Sequence, residues 1–238
     1  MLHKQLLFVY PFVLGLMNSL AFFAVYAAMG GHLSWGSFAE ANFAPWAYLR
    51  DNQDQLVAGP LPLLAAALAG LTAVVLAATI RATFFRAIVG RDYPLSPRAW
   101  REVYRLALLY LVIDALFYLL PAGLESDSTA LLPVSIALLA ANVVFLYADY
   151  ALVFESLSPV AAIRRSARLL AKNPLIAVTM AALAYLLWSL VATVFAGVYD
   201  GADKVFVLFP MAQLLVGAVV TVLLDTFLIY IYDHLARS

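Results

Sequence analysis

Residues 155–174 read ESLSPVAAIRRSARLLAKNP. Ser158 followed by Pro159 is a helix-start signal. A serine hydroxyl caps orphan backbone N–H groups, and proline fits the first helical position. At about 100° per residue, Arg164, Arg165, Arg168 and Lys172 fall within one arc of the helix. Val160, Ile163, Ala167 and Leu170 take the far side. Asn173–Pro174 then ends the helix, because the residue before a proline is driven out of the α region. The stretch lies between two long apolar runs. Its geometry is that of a helix lying in a membrane interface, over residues 158–172, with the basic side toward headgroups and the apolar side toward acyl chains or protein.

The rest of the chain fits that placement. Of 238 residues, 66% are hydrophobic and 12% charged, against about 45–50% and about 25% in soluble domains. A spanning helix needs about 20 mainly apolar residues to cross about 30 Å of hydrocarbon. Six segments qualify: residues 6–29, 61–89, 106–120, 131–154, 175–198 and 205–232. The third is short, but extends backward through the amphipathic stretch before it. The first is read as a span, because it is too long for a signal-peptide core and no A-x-A site follows it. The expectation is an all-α integral membrane protein, one domain over residues 1–238.

Lys and Arg mark the cytoplasmic side of a membrane protein. With the N-terminus inside, the inner side holds Lys4, Arg81, Arg86, Arg91, Arg98, Arg101, Arg105, Arg164, Arg165, Arg168, Lys172 and Arg237, which is 12 of the 14 basic residues. The outer side keeps Arg50 and Lys204, with Glu40, Asp51, Asp54, Glu125, Asp127, Asp200 and Asp203. Both termini are therefore expected in the cytoplasm, with the protein in the cell membrane. The outer loop around residues 30–60 carries Trp35, Phe38, Phe43, Trp46 and Tyr48, a composition suited to the membrane surface.

A second stretch, PLSPRAWREVYRL, resembles the first. Leu95-Ser96-Pro97 matches Leu157-Ser158-Pro159. Arg98, Arg101 and Arg105 share one face, and Trp100, Val103 and Tyr104 another. A second interfacial helix is expected over residues 96–105. Span, interfacial helix and span, twice over, suggest a parallel repeat.

The run Glu155 … Ala162-Ile163-Arg164-Arg165-Ser166 … Leu169-Leu170 … Asn173 resembles the signature of the glycerophosphoryl diester phosphodiesterase membrane-domain-like family, which takes in six-span bacterial membrane proteins. An aromatic commonly follows the serine there; this chain has Ala167. The resemblance implies an integral membrane domain that is sometimes fused to a soluble, metal-dependent phosphodiesterase barrel. No such barrel is present in this sequence, so the likeness carries no catalytic activity with it.

Three acids fall within spans, Asp114, Asp149 and Asp225. A mid-helix Asp costs about 2.5–3.5 kcal/mol on insertion scales, so such residues have partners or roles. Arg81 is inset to a comparable degree, and pairing with Asp149 or Asp225 is expected. The result is either a structural ion pair or a polar cavity for a headgroup, proton or solute. Ser166 lies off the basic arc and reads as a packing residue.

Cysteine is absent, which excludes disulfides and thiol nucleophiles. No metalloprotease, phosphate-loop, serine-hydrolase or dinucleotide motif occurs. His3, His32 and His234 do not gather on one side of the membrane. No enzyme, cofactor, metal site or nucleic-acid binding is expected. Three functions stay open. One is a protein that engages anionic membrane lipids through its basic helices and organises, senses or moves lipid. The second is a transporter, or a permease subunit that docks an ATPase. The third is a scaffold or partner subunit, its protein partners and any homo-oligomer unspecified. The basic arc is either a binding site or only a topology signal.

Overall fold

The computed structural model describes residues 7–28, 60–89, 97–119, 131–200 and 208–237. Those residues are helical with short turns, and no β-strand occurs among them. In chain order the helices are α1 (Val9–Ala28), α2 (Pro60–Ile88), α3 (Pro97–Asp114), α4 (Leu131–Phe145), α5 (Ala148–Glu155), α6 (Pro159–Lys172), α7 (Pro174–Asp200) and α8 (Leu208–Arg237). A π-helical turn, Ala115–Leu119, continues α3. The aromatic outer loop around residues 30–60 lies outside the described residues except for Pro60, as do His3 and His32.

Four stretches are long and apolar enough to cross a membrane: Gly70–Ile88, Pro133–Glu155, Pro174–Phe195 and Met211–Arg237. The apolar part of α1, Val9–Leu20, is shorter. The helices arise where the sequence offers aliphatic runs without internal breakers. Each described proline sits in the first turn of a helix: Pro11, Pro60, Pro62, Pro97, Pro133, Pro159, Pro174 and Pro210. There a missing N–H costs no helical hydrogen bond.

The pattern of exposure identifies the solvent. Only 11% of the α7 span is buried, and Leu175, Val178, Tyr185, Leu186, Leu190 and Val194 all face outward. A continuous aliphatic face of that kind is unsuited to water and suited to hydrocarbon. The chain is a helical membrane protein.

The chain divides into two compact units. The first takes residues Met1–Arg81 and Leu187–Val222. Ala78, Val191, Leu214 and Ala218 are buried in it, with Gly70, Gly217, Ser19 and Gln213. Thr72, Thr79 and Thr221 donate their hydroxyls to the carbonyls of Leu68, Val75 and Gly217 at 2.8, 2.8 and 2.9 Å. This i−4 bonding satisfies a polar group within its own apolar helix.

The second unit takes Ala82–Leu186 and Leu223–Ser238. Here α6 packs against α5, α4 and α3. The amphipathic residues 97–105 are not a separate interfacial element: they form the opening turns of α3, which runs unbroken into the apolar residues after Leu106. In the other half of the expected repeat, Asn173 does separate α6 from α7. The difference is local, because no proline follows the first amphipathic stretch and Pro174 follows the second.

Leu186→Asp places a charge on the outward face of α7. If that face contacts lipid, the substitution costs about 2.5–3.5 kcal/mol of insertion free energy. The membrane-inserted yield is expected to fall, while a face in contact with water would tolerate the change.

Candidate functional site

The polar chemistry of the second unit gathers around the segment joining α5 to α6. Ser158 caps α6 as its sequence predicts: the hydroxyl accepts from the Ala161 N–H at 3.4 Å, and Pro159 occupies the first turn. Two residues earlier, Ser156 adopts φ 56°, ψ 34°. It is the one non-glycine residue with positive φ among those described. For an L-residue with a Cβ this conformation costs about 1–2 kcal/mol, and α3 holds it in place. Arg105 Nη1 donates to the Ser156 carbonyl at 2.9 Å, and the Ser156 hydroxyl donates to Glu102 Oε1 at 2.9 Å. Glu102 is only 2% exposed and forms an ion pair with Arg86 of α2.

A second carboxylate works on the other side of the turn. Glu155 Oε1 accepts from Arg165 Nε at 3.0 Å and from the Tyr232 hydroxyl at 2.5 Å. Arg165 Nη2 also reaches the Ala236 carbonyl at 3.4 Å. One acid thus joins the end of α5, the middle of α6 and the last turns of α8. The hydrogen bond to Glu155 is the main cause that raises the Arg165 pKa above its ordinary value.

The four basic residues of α6 therefore divide. Arg165 is half-buried in the network, while Arg164, Arg168 and Lys172 are exposed in a row spaced by four. Arg164 and Lys172 have no side-chain partner among the described residues, and Arg168 Nε reaches only the Arg164 carbonyl, at 3.3 Å. The buried face of α6 is Ala162, Ser166, Leu169 and Leu170. It is offset from the apolar arc expected from sequence, because Val160 is exposed.

Ser166 does more than pack. Between α4 and α5 the helix breaks at Leu146–Tyr147, with no proline or glycine present. Leu146 N–H turns to the Val143 carbonyl at 3.1 Å, and Tyr147 N–H donates to the Ser166 hydroxyl at 3.2 Å. The break also gives α5 an N-terminus of its own. Asp149 lies in its first turn, where a carboxylate is favourable to the helix dipole, and accepts from the Tyr150 N–H at 2.9 Å.

Asp225 is buried and accepts from the Tyr150 hydroxyl at 2.5 Å. Around that bond, Phe85 meets Tyr150 edge-on at 4.8 Å, and Tyr147, Phe154 and Tyr232 complete an aromatic cluster. The Tyr147 hydroxyl is buried with no partner among the described residues. Asp114 is half-buried at the end of α3, just before the π-helical turn. Arg81 is the last residue of the first unit.

On α3 the buried ridge is Ala99, Glu102, Val103, Leu106 and Leu109. Trp100 and Tyr104, grouped with Val103 in the sequence reading, instead face outward. Arg101 is exposed and Arg105 half-buried; the side chain of Arg98 lies outside the described residues. Glu102, Ser156, Tyr147, Tyr150 and Tyr232 were not marked by sequence as site residues. For Glu102 a signal existed: it falls on the apolar ridge of α3, three and four residues from Ala99 and Leu106.

His, Asp and Glu form no cluster able to hold a metal ion among the described residues. No protein-family model, curated protein or solved structure matches the chain.

Glu102→Gln removes the carboxylate charge from the Arg86 ion pair, and breaking a buried pair from one side costs about 3 kcal/mol. A clear fall in thermal stability in detergent is expected, with partial recovery in the double variant R86Q/E102Q. Ser156→Ala loses the Glu102 bond and keeps the strain, at about 1–2 kcal/mol. Ser156→Gly removes the strain as well, and its melting temperature is expected to lie above that of the alanine variant.

Proposed function

We propose that the protein is a six-span protein of the cell membrane, both termini in the cytoplasm, that engages anionic lipid at the inner leaflet and through it organises, senses or moves lipid. The observation that carries this is the division of labour on α6. One of its four cations is committed to Glu155, and the other three stand exposed in line on an amphipathic helix. Beyond its part in orientation, such a row attracts anionic headgroups.

The distribution of charge supports the orientation. All described Lys and Arg residues except Arg81 belong to the second unit, and the positive-inside rule assigns the segments that carry them to the cytoplasmic side. The six-span layout counts α1 and α3 as spans alongside the four long apolar stretches. The likeness of Glu155–Asn173 to the glycerophosphoryl diester phosphodiesterase membrane-domain-like family is part of the same proposal. Its residues have separable tasks: Glu155 and Arg165 tie helices together, Ala162 packs, Ser166 accepts the Tyr147 N–H, Asn173 stops the helix, and Arg164 faces outward.

A second reading, a transporter, is favoured by the break at Leu146–Tyr147. A discontinuous span beside intramembrane acids is a recurring feature of transport sites. On that reading the exposed row is an anchor alone.

Each basic residue near an anionic surface contributes about 1 kcal/mol, so the row supplies about 3 kcal/mol. The triple variant R164Q/R168Q/K172Q is expected to co-purify with much less phosphatidylglycerol and cardiolipin by lipid mass spectrometry, at unchanged thermal stability. Arg165→Gln is expected to do the reverse, lowering stability with little effect on bound lipid. An unchanged lipid profile in the triple variant removes the α6 row as a lipid-engaging surface, reduces it to an anchor and favours the transporter.

A further inference from the structure

The opening turns of α3 carry a second cationic feature of a different kind. Trp100, Arg101, Tyr104, Arg105 and Leu108 line a shallow groove of about 430 Å³ on the outward face of the helix. Trp100 and Tyr104 stand one turn apart, with ring centroids 6.2 Å from each other, and with Leu108 they form one wall at i, i+4, i+8. Arg101 and Arg105, also one turn apart, form the other.

These walls differ in what they offer. Trp100, Tyr104 and Leu108 are among the most exposed large apolar residues of the helix. Arg101 is exposed and has no partner among the described residues. Arg105 gives one N–H to the Ser156 carbonyl, out of the five that a guanidinium carries. The bond fixes the Arg105 head in place and leaves donors for a ligand. The first turn of α3 contains no acid, and Glu102 is turned to the opposite face, against Arg86. The groove is therefore electropositive at its Arg101–Arg105 end. Beyond it the helix becomes wholly apolar, from Leu106 through Ile113 apart from Tyr110.

A ligand that matches this carries an anionic oxygen group joined to a hydrocarbon chain. Arginine pairs with phosphate through parallel N–H donors, and Trp and Tyr are the residues that settle at the headgroup level of a bilayer. We infer that this groove is a discrete site for one anionic phospholipid, its phosphate held by Arg101 and Arg105 and its acyl chain laid along Tyr104 and Leu108. The inference rests on the anionic-lipid reading but locates a single retained molecule on α3. The row on α6, which has no apolar wall between its cations, attracts the leaflet as a charged surface.

The test is native mass spectrometry of the full chain in detergent, titrated with phosphatidylglycerol and separately with phosphatidylcholine. The parent is expected to retain one phosphatidylglycerol under conditions that strip phosphatidylcholine. R101Q is expected to weaken that binding about fivefold, the loss of one basic residue, and W100A to weaken it as well. R164Q/R168Q/K172Q is expected to keep the single bound lipid. Trp100 and Arg101 are both exposed, so matching melting temperatures check that the variants fold. As a second readout, phosphatidylglycerol brominated on its acyl chain is expected to quench the parent's fluorescence by a larger fraction than that of W100F.

Full retention by both R101Q and W100A overturns the groove site, as does equal fractional quenching in parent and W100F. If the α6 variant loses the lipid while the groove variants keep it, the groove inference fails and the interfacial reading stands. If no variant changes lipid binding, both fail.

Discussion

In hydrocarbon every backbone N–H needs a partner from the protein itself. At Leu146–Tyr147 the helical ladder is interrupted, and an unsatisfied buried N–H costs about 1–3 kcal/mol. Ser166 removes that cost. Its hydroxyl lies on α6, so the interrupted span and the amphipathic helix are obliged to pack together. The packing then has consequences for the rest of the unit. It goes with the burial of Ala162, Leu169 and Leu170 on α6 and with the placing of Arg165 beside Glu155. It leaves Arg164, Arg168 and Lys172 pointing away. The same interruption explains an acid within a span. Once α5 has its own N-terminus, Asp149 sits at the positive end of a helix dipole.

The turn after α5 is the second point of control. A left-handed serine is a poor choice on local grounds, and glycine is the residue that such a position favours. Serine is useful here because its side chain carries a bond that glycine lacks. Through Ser156, α3 fixes the direction in which the chain leaves the span and enters α6. Glu102 serves both that bond and the Arg86 ion pair, so α2, α3 and the turn share one buried carboxylate. Buried charge is tolerated where every partner is present.

Local signals are legible in the sequence. Ser158-Pro159 and Asn173-Pro174 bound α6 because capping and proline geometry act over a few residues. The apolar runs gave the membrane class because length and composition decide it. Other features depend on contacts far along the chain and leave no local mark. A helical arc groups Arg164 with Arg165, but only the position of Glu155 and Tyr232 separates the paired cation from the exposed one. The break at Leu146–Tyr147 has no proline or glycine to announce it, since its partner lies nineteen residues later. On α3 the aromatic residues drew the apolar face toward Trp100 and Tyr104. The core selected the ridge through Glu102 instead, because Glu102 finds Arg86 there and the aromatic rings suit an interface. The bond from the Tyr150 hydroxyl to Asp225 at 2.5 Å likewise joins residues seventy-five apart and leaves no local mark.

The junction at Glu155 also orders events in time. Tyr232 lies 77 residues beyond Glu155, and Ala236 lies 71 beyond Arg165. A protein chain is made from its N-terminal end, so α6 is complete while α7 and α8 are still being synthesised. During that interval Glu155 and Arg165 have only each other, and the seat that α8 completes is open. Until α8 arrives, the contacts of α6 are those to α3, α4 and α5. The last turns of the chain thus close a junction whose other two members are made much earlier.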